Sequence, residues 1–370
     1  MHIAIDARMP AYREGGISQY VRQLLPALAA VDGENVYTVL ESRRQQDALG
    51  PDAPNFRRAR LVTPPHHRLE RWALGVELMA HRPDVLHSPD FIPPAFGARC
   101  RVITVHDLSF LHYPEHLTAE SRRYYNEQIA WAVRQADAIS ADSEQTRQDL
   151  IDMLGVPPDR VRTIHLAANP VYREPVGAEE VAATLARHGL APGYLLFVGT
   201  LEPRKNVPTL LRAYRLLRDE TGFDGPLVLV GGRGWHDEAI FATVEALALQ
   251  GAVRHLSGVD DATLLHLYHG AALLALPSHY EGFGLPVLEA MHCGCPVVCS
   301  DRGSLREVAG DAALLLPPGD AGAWAEALAR VLEDSALRAR MIAAGCAQAA
   351  RFSWEKTARE TVALYAEAGA

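Results

Sequence analysis

Short apolar runs recur along the chain with amphipathic stretches between them, and this alternation limits the possible folds more than any single motif does. Residues 2–5, 36–40, 85–87, 102–105 and 138–141 read as buried parallel strands, separated by helical stretches such as 18–30 and 119–135. Residues 162–166 and a loop at 169–175 follow. A second series then runs through 194–198, 227–230, 253–256, 273–276, 297–299 and 313–316. Such alternation predicts doubly wound α/β sheets. Two series in 370 residues, with a break near 170–192, predict two Rossmann-like domains over residues 1–175 and 190–352. The tail from 353 onward reads as a helix with Ser353 at its cap. In open parallel sheets ligands bind beyond the carboxyl ends of the strands, so residues just after strands are the first candidates for chemistry.

Composition excludes several classes. A net charge of −9 argues against a nucleic-acid surface. Arginines do cluster in the first half, at Arg43/Arg44, Arg57/Arg58/Arg60 and Arg68/Arg71. These read as a solvated face or as a patch for an acidic acceptor or an anionic membrane surface. No apolar run has the roughly 18 residues of a membrane span, and the N-terminus reads as a strand, not a signal peptide. Of the five cysteines, Cys293, Cys295 and Cys299 cluster, but no second cluster completes a zinc site. Buried free thiols in a reducing cytoplasm are the expectation.

The segment 278–291 carries the densest chemistry. Glu281 and Glu289 lie eight positions apart around Gly282, Phe283, Gly284 and Leu285, which lead into a helix start with Pro286 in its first turn. Glycines let the backbone approach a ligand, and a helix N-terminus attracts anions. A phosphate there would lie between two carboxylates able to accept hydroxyl hydrogen bonds. Just after the first strand of the second series come Arg204 and Lys205, a fork and a point charge suited to a diphosphate. Lys205 and Lys356 are the only lysines in a chain that otherwise uses arginine. Glycines at 231, 232 and 234 lack dinucleotide-fingerprint spacing and read as a turn, and Ser257-Gly258-Val259 follows the next strand. In the first series, Gly15 and Gly16 follow Glu14 and open a helix, with Ser18 as a possible cap. His106 ends a buried strand; Asp107 beside it suits a backbone-orienting role, and His87 is a weaker candidate at another strand end.

The Glu281–Glu289 block, the segment 199–206, the glycine loop at 15–16, His106 and the tail helix together resemble the retaining GT-B glycosyltransferases of family 4. The variant at 199–206, with a Gly-Trp pair after the next strand, is similar to bacterial mannosyltransferases that build surface polysaccharide. The resemblance implies a GT-B fold: an acceptor-side first domain and a nucleotide-sugar-binding second domain facing a cleft, with the tail helix crossing back. It implies transfer of a hexose, mannose or glucose, from a GDP-sugar or UDP-sugar to a saccharide or lipid-linked saccharide, in the cytoplasm either free or peripheral at the inner face of the membrane. By the same resemblance Arg204 and Lys205 hold the diphosphate, Glu281 the sugar, Glu289 the ribose, and His106 lies near the sugar. Gly15 and Gly16 approach the phosphate, and Val259 offers backbone to the base. Many family members carry an arginine where this chain has Thr200. No D-x-D motif for a divalent metal occurs, so the cations and the helix start are expected to supply the positive field without metal or other cofactor. An epimerase or hydrolase of sugar nucleotides, or a non-catalytic sensor of them, would use the same frame.

Overall fold

The apolar runs become parallel strands because each is covered on both faces by the helices that follow them. The computed structural model describes residues 1–12, 15–116 and 119–370. The chain forms two units: Met1–His112, Thr118–Ala167 and Ser353–Ala370 make the first, and Tyr113–Leu117 with Ala168–Phe352 the second.

The first unit holds strands β1 (His2–Asp6), β2 (Val36–Ser42), β3 (Phe56–Leu61), β4 (Val85–Ser88), β5 (Cys100–Val105), β6 (Ala138–Ala141) and β7 (Val161–Thr163), in the order β3-β2-β1-β4-β5-β6-β7. The order reverses between β1 and β4, the switch point where such sheets open a crevice. Edge strand β3 was not legible as a strand. Three arginines interrupt its apolar pattern, although Ala59 and Leu61 pack onto the core with Leu74 and Leu78. Arg58 lies across the sheet edge, 2.6 Å from the buried Glu41 carboxylate.

The C-terminal helix Trp354–Gly369 belongs to this unit and packs on the helix Gly16–Val31. Ser353 caps it through its Oγ, which accepts from the Lys356 N–H at 3.2 Å. Inside the first unit Tyr365 Oη lies 2.6 Å from His87 Nδ1, and the His87 Nε2 lies 2.8 Å from Thr104 Oγ1. Burial drives the His87 pKa down to about 3. His87 is therefore a neutral core histidine that fastens the tail helix.

The second unit holds β8 (Tyr194–Val198), β9 (Leu227–Val230), β10 (Val253–Leu256), β11 (Ala271–Leu276), β12 (Val297–Ser300) and β13 (Leu314–Leu316), in the order β10-β9-β8-β11-β12-β13. Its switch point lies between β8 and β11, which pair in parallel. The chain enters this unit at Ala168, and the helix Ala178–Arg187, unassigned by the alternation, packs against Asp261–Gly270. Asn169 and Tyr172 tie the entering segment to the Asp261 carboxylate at 2.8 and 3.2 Å. Cys293, Cys295 and Cys299 are buried free thiols. Burial pushes those of Cys295 and Cys299 up to about 12, so both are inert. Among the described residues no helix is long and apolar enough to cross a membrane.

Candidate active site

Because β8 and β11 are neighbours running the same way, the loops leaving their carboxyl ends meet. The first loop carries Arg204 and Lys205, the second Glu281. Lys205 Nζ donates to both Glu281 oxygens, at 2.6 and 2.8 Å, and Arg204 Nη1 donates to Oε2 at 2.9 Å. Ser278 Oγ donates to Oε1 at 2.6 Å. Arg204 also binds Glu202 at 2.7 Å and donates to the Tyr280 carbonyl at 3.0 Å. The His279 N–H donates to the Arg204 carbonyl at 2.8 Å, pinning one loop to the other. Asn206, left-handed at φ 54°, donates to the Pro277 and Pro318 carbonyls at 3.1 and 2.6 Å and anchors the first loop from below.

Lys205 and Glu281 are buried, so an unpaired charge at either would be costly. Burial alone would raise the Glu281 carboxyl, but the ammonium, the guanidinium and their hydrogen bonds outweigh it and hold it at about 2. Burial presses the Lys205 ammonium below its ordinary range against the pull of Glu281. Glu281 is therefore ionised at neutral pH. The ammonium has three N–H donors and Glu281 engages two.

Beyond Glu281 the loop turns through Gly282 and Phe283, both buried, to Gly284, which caps the helix Leu285–His292 at φ 102°. Phe283 meets Phe352 edge-on at 5.8 Å, and Ser304 Oγ is shared between the carbonyls of Glu281 and Phe283, at 2.9 and 2.7 Å. Gly303, at φ 58°, lies so close that an added Cβ would fall 2.8 Å from the Glu281 carbonyl oxygen. Glu289, one helical face further on, accepts from Tyr268 Oη at 2.7 Å. Burial lifts its carboxyl to about 7, only partly opposed by that hydrogen bond. Val259 is half-buried just before Asp260, whose side chain caps the helix Asp261–Gly270. Residues 204–205 and 281–285 thus share one end of one sheet, and Glu289 lies one turn into the helix that starts there.

In the first unit the same logic joins adjacent strands β5 and β6. His106 follows β5 and Asp142 follows β6, with Nδ1 and Oδ2 2.7 Å apart. The Tyr20 ring packs edge-on against the imidazole at 5.1 Å. Burial works against the imidazolium, but Asp142 raises the His106 pKa above its ordinary value. The Nε2 is buried with no hydrogen-bond partner among the described residues. Asp107 accepts from the Ser109 N–H and hydroxyl at 2.9 and 2.7 Å, the backbone-orienting role its position suggests. Gly15 and Gly16 are exposed at the start of the helix Gly16–Val31. Gly15 is the N-cap. Ser18, expected as a cap, lies buried inside the first turn because the helix begins two residues earlier. Glu14 lies outside the described residues.

Several members of these clusters were missed from sequence: Asp142, Tyr20, Ser278, Gly303, Ser304 and Tyr268. Asp142 carried a usable signal, an acid directly after a predicted strand. The others are brought in by packing.

A model described as "Glycosyl transferases group 1" matches residues 187–348, and one described as "Glycosyltransferase Family 4" matches residues 14–172. The O-antigen chain mannosyltransferase B of Escherichia coli is 39% identical over 301 residues, covering 81% of this chain and 77% of that one. Among solved structures, a sucrose-phosphate synthase from Thermosynechococcus elongatus superposes with a TM-score of 0.77 at 25% identity, over 99% of this chain and 98% of that one. Anabaena Alr3699/HepE in complex with UDP-glucose has the same fold, with a TM-score of 0.74 at 18% identity over 98% and 99% of the two chains.

Proposed function

The chain belongs to the family 4 glycosyltransferases of the GT-B fold, and from that premise we propose that it moves a hexose from a nucleoside diphosphate sugar to a saccharide hydroxyl with retention of anomeric configuration and without a metal ion. The observation that carries the reading is the Arg204–Lys205–Glu281 cluster at the second switch point, beside the glycine-capped start of Leu285–His292.

Departure of the diphosphate leaves negative charge on phosphate and positive charge on the sugar. Two cations fixed in advance, with a helix start, stabilise that leaving group at no cost in reorganisation. Glu281 fixes them: its carboxylate holds both cations, so it organises the charge as well as offering lone pairs to sugar hydroxyls. Glu289 is assigned to the ribose, Val259 to the base, and Gly15 and Gly16 to the phosphate. His106, with its buried Nε2, is assigned to the hydroxyls of the transferred sugar. No carboxylate here is assigned as a covalent nucleophile. The reading instead has the acceptor attack from the leaving-group face, its proton passing to the donor phosphate, which differs from the two-carboxylate scheme of retaining glycosidases.

The mannosyltransferase relative favours mannose as the sugar and polysaccharide as the product. The UDP-glucose held by a structural neighbour keeps UDP-glucose as the second donor to test. The test is calorimetric titration with UDP, GDP, ADP and their sugar conjugates, with and without EDTA. Tight GDP binding indifferent to EDTA is expected. Binding that requires a divalent ion overturns the metal-free reading, and donor turnover without any acceptor moves the assignment to a hydrolase.

A further inference from the structure

A second cluster of charged side chains lies at the carboxyl edge of the first sheet, beside His106. It sits at the switch point between β1 and β4, where Ile5 and His87 are register partners and Asp6 and Ser88 come next along their strands. Arg8 is buried there and donates to Asp6 at 2.8 and 2.6 Å, to Glu70 at 2.6 Å and to the Thr63 carbonyl at 2.8 Å. His66, left-handed at φ 58°, donates its N–H to the second Glu70 oxygen at 2.7 Å and sets its imidazole against Asp90. The Asp90 backbone is fixed in turn: its carbonyl accepts from the Ile92 N–H at 2.6 Å, and Phe91 stacks on Phe110. Asp90 lies within electrostatic reach of both His106 and Glu70.

Ser88 is 1% exposed, yet its Oγ has no hydrogen-bond partner among the described residues. The same holds for His106 Nε2, and the two residues end adjacent strands, β4 and β5. A buried hydroxyl left unpaired carries a cost that a polar ligand group offsets. Beside it, Asp90 gives Oδ2 to His66 and keeps Oδ1 for a ligand, with its side chain 18% exposed. The charge balance decides which ligand fits. Each cation of the cluster is already matched by a carboxylate: Arg8 by Asp6 and Glu70, His66 by Asp90. An incoming phosphate meets no uncommitted cation here and faces carboxylates instead. A neutral polyol meets a carboxylate that accepts from its hydroxyls and a serine that donates or accepts.

We infer that Ser88 and Asp90 seat an uncharged sugar of the acceptor and discriminate against a phosphorylated one. Asp90 takes hydrogen bonds from the sugar hydroxyls, and Ser88 Oγ gains the partner it lacks. His66 acts through Asp90 as a positioning residue, and the Arg8–Glu70 pair holds His66 in place. The identity of the ligand as an acceptor rests on the transferase reading above; the seat itself is measured by binding, without turnover.

The test is saturation-transfer nuclear magnetic resonance of the full chain with GDP present, using methyl α-mannoside and its 6-phosphate as probes, followed by kinetics with the mannoside as acceptor. Wild type should bind the mannoside at least ~10-fold more tightly than the 6-phosphate. Asp90→Asn keeps the shape and loses the charge; it should weaken mannoside binding about 10-fold and narrow the preference over the phosphate. Ser88→Ala should weaken it about 5-fold with Tm at or above that of wild type, because the hydroxyl has no protein partner to lose; a merely structural serine would lower Tm and leave mannoside binding alone. Both variants should keep wild-type GDP affinity. Equal binding of the two probes by wild type, binding of neither, or unchanged mannoside affinity in both variants overturns the proposal. Mannoside binding that Asp90→Asn weakens, without transfer from any GDP-hexose or UDP-hexose, supports the seat and overturns the transfer reading. Transfer with the acceptor KM unmoved in both variants does the reverse.

Discussion

Replacing Lys205 with methionine separates what the buried ion pair does for the fold from what it does for chemistry. The substitution removes an ammonium 2.6 and 2.8 Å from the Glu281 oxygens and leaves a buried carboxylate. Breaking such a pair costs about 3–5 kcal/mol. Arg204 at 2.9 Å and Ser278 at 2.6 Å still engage the carboxylate, which places the loss near the lower end, about 3 kcal/mol. For a domain of roughly 150–250 residues that lowers Tm by about 6–12 °C. Glu281 is held at about 2 against an ordinary 4.5, so the stability it contributes is complete above about pH 4.5 and fades as pH falls toward 2. With one cation gone the carboxyl is less depressed, so that acid loss should be smaller and should be complete at a higher pH. Adding Glu281→Leu to Lys205→Met removes both charges at once and should recover most of the melting temperature. It should not recover activity: both variants should fall about 10²-fold or more in kcat/KM. Calorimetric melting and steady-state kinetics on the single and double variants decide the matter. A single variant that melts and turns over like wild type, or a double variant with near-normal kcat/KM, refutes the reasoning.

Three further expectations rest on named contacts. Asp142→Asn removes the charge that raises the His106 pKa, so the His106 limb of the kcat/KM–pH profile should move to lower pH; an alkaline shift or none contradicts the pairing. Glu289, lifted to about 7, should make nucleoside diphosphate affinity rise as pH increases through neutrality and its carboxylate ionises; Glu289→Gln should flatten that dependence in calorimetric titrations. Gly303→Ala places a methyl against the Glu281 backbone at a left-handed φ, and displacing that loop by a fraction of an ångström should cost about 10-fold or more in kcat with little change in substrate affinity at the acceptor.

The period of the apolar runs reveals both sheets because buried parallel strands are written as continuous apolar stretches. Edge strand β3 escapes that signal, since an edge exposes side chains and Arg57, Arg58 and Arg60 are free to sit there. Candidate site residues stand out where local sequence is unusual: two acids around a glycine turn, adjacent cations after a strand, a histidine at a strand end. What sequence does not carry is pairing across elements. Glu281 reads as a group for sugar hydroxyls, yet its carboxylate also holds Arg204 and Lys205, because β8 and β11 are neighbours although 72 residues lie between the two strands. His87 and His106 look alike as strand-end histidines. The tail helix distinguishes them, supplying Tyr365 to one and leaving the other paired with Asp142.

The central claim is metal-free transfer with retention, and one experiment reads both halves: nuclear magnetic resonance of the product anomer formed from a GDP-hexose with a saccharide acceptor in EDTA. The expected product has the donor's anomeric configuration and forms at an undiminished rate. An inverted product, or turnover that stops in EDTA and returns with magnesium or manganese, contradicts the account.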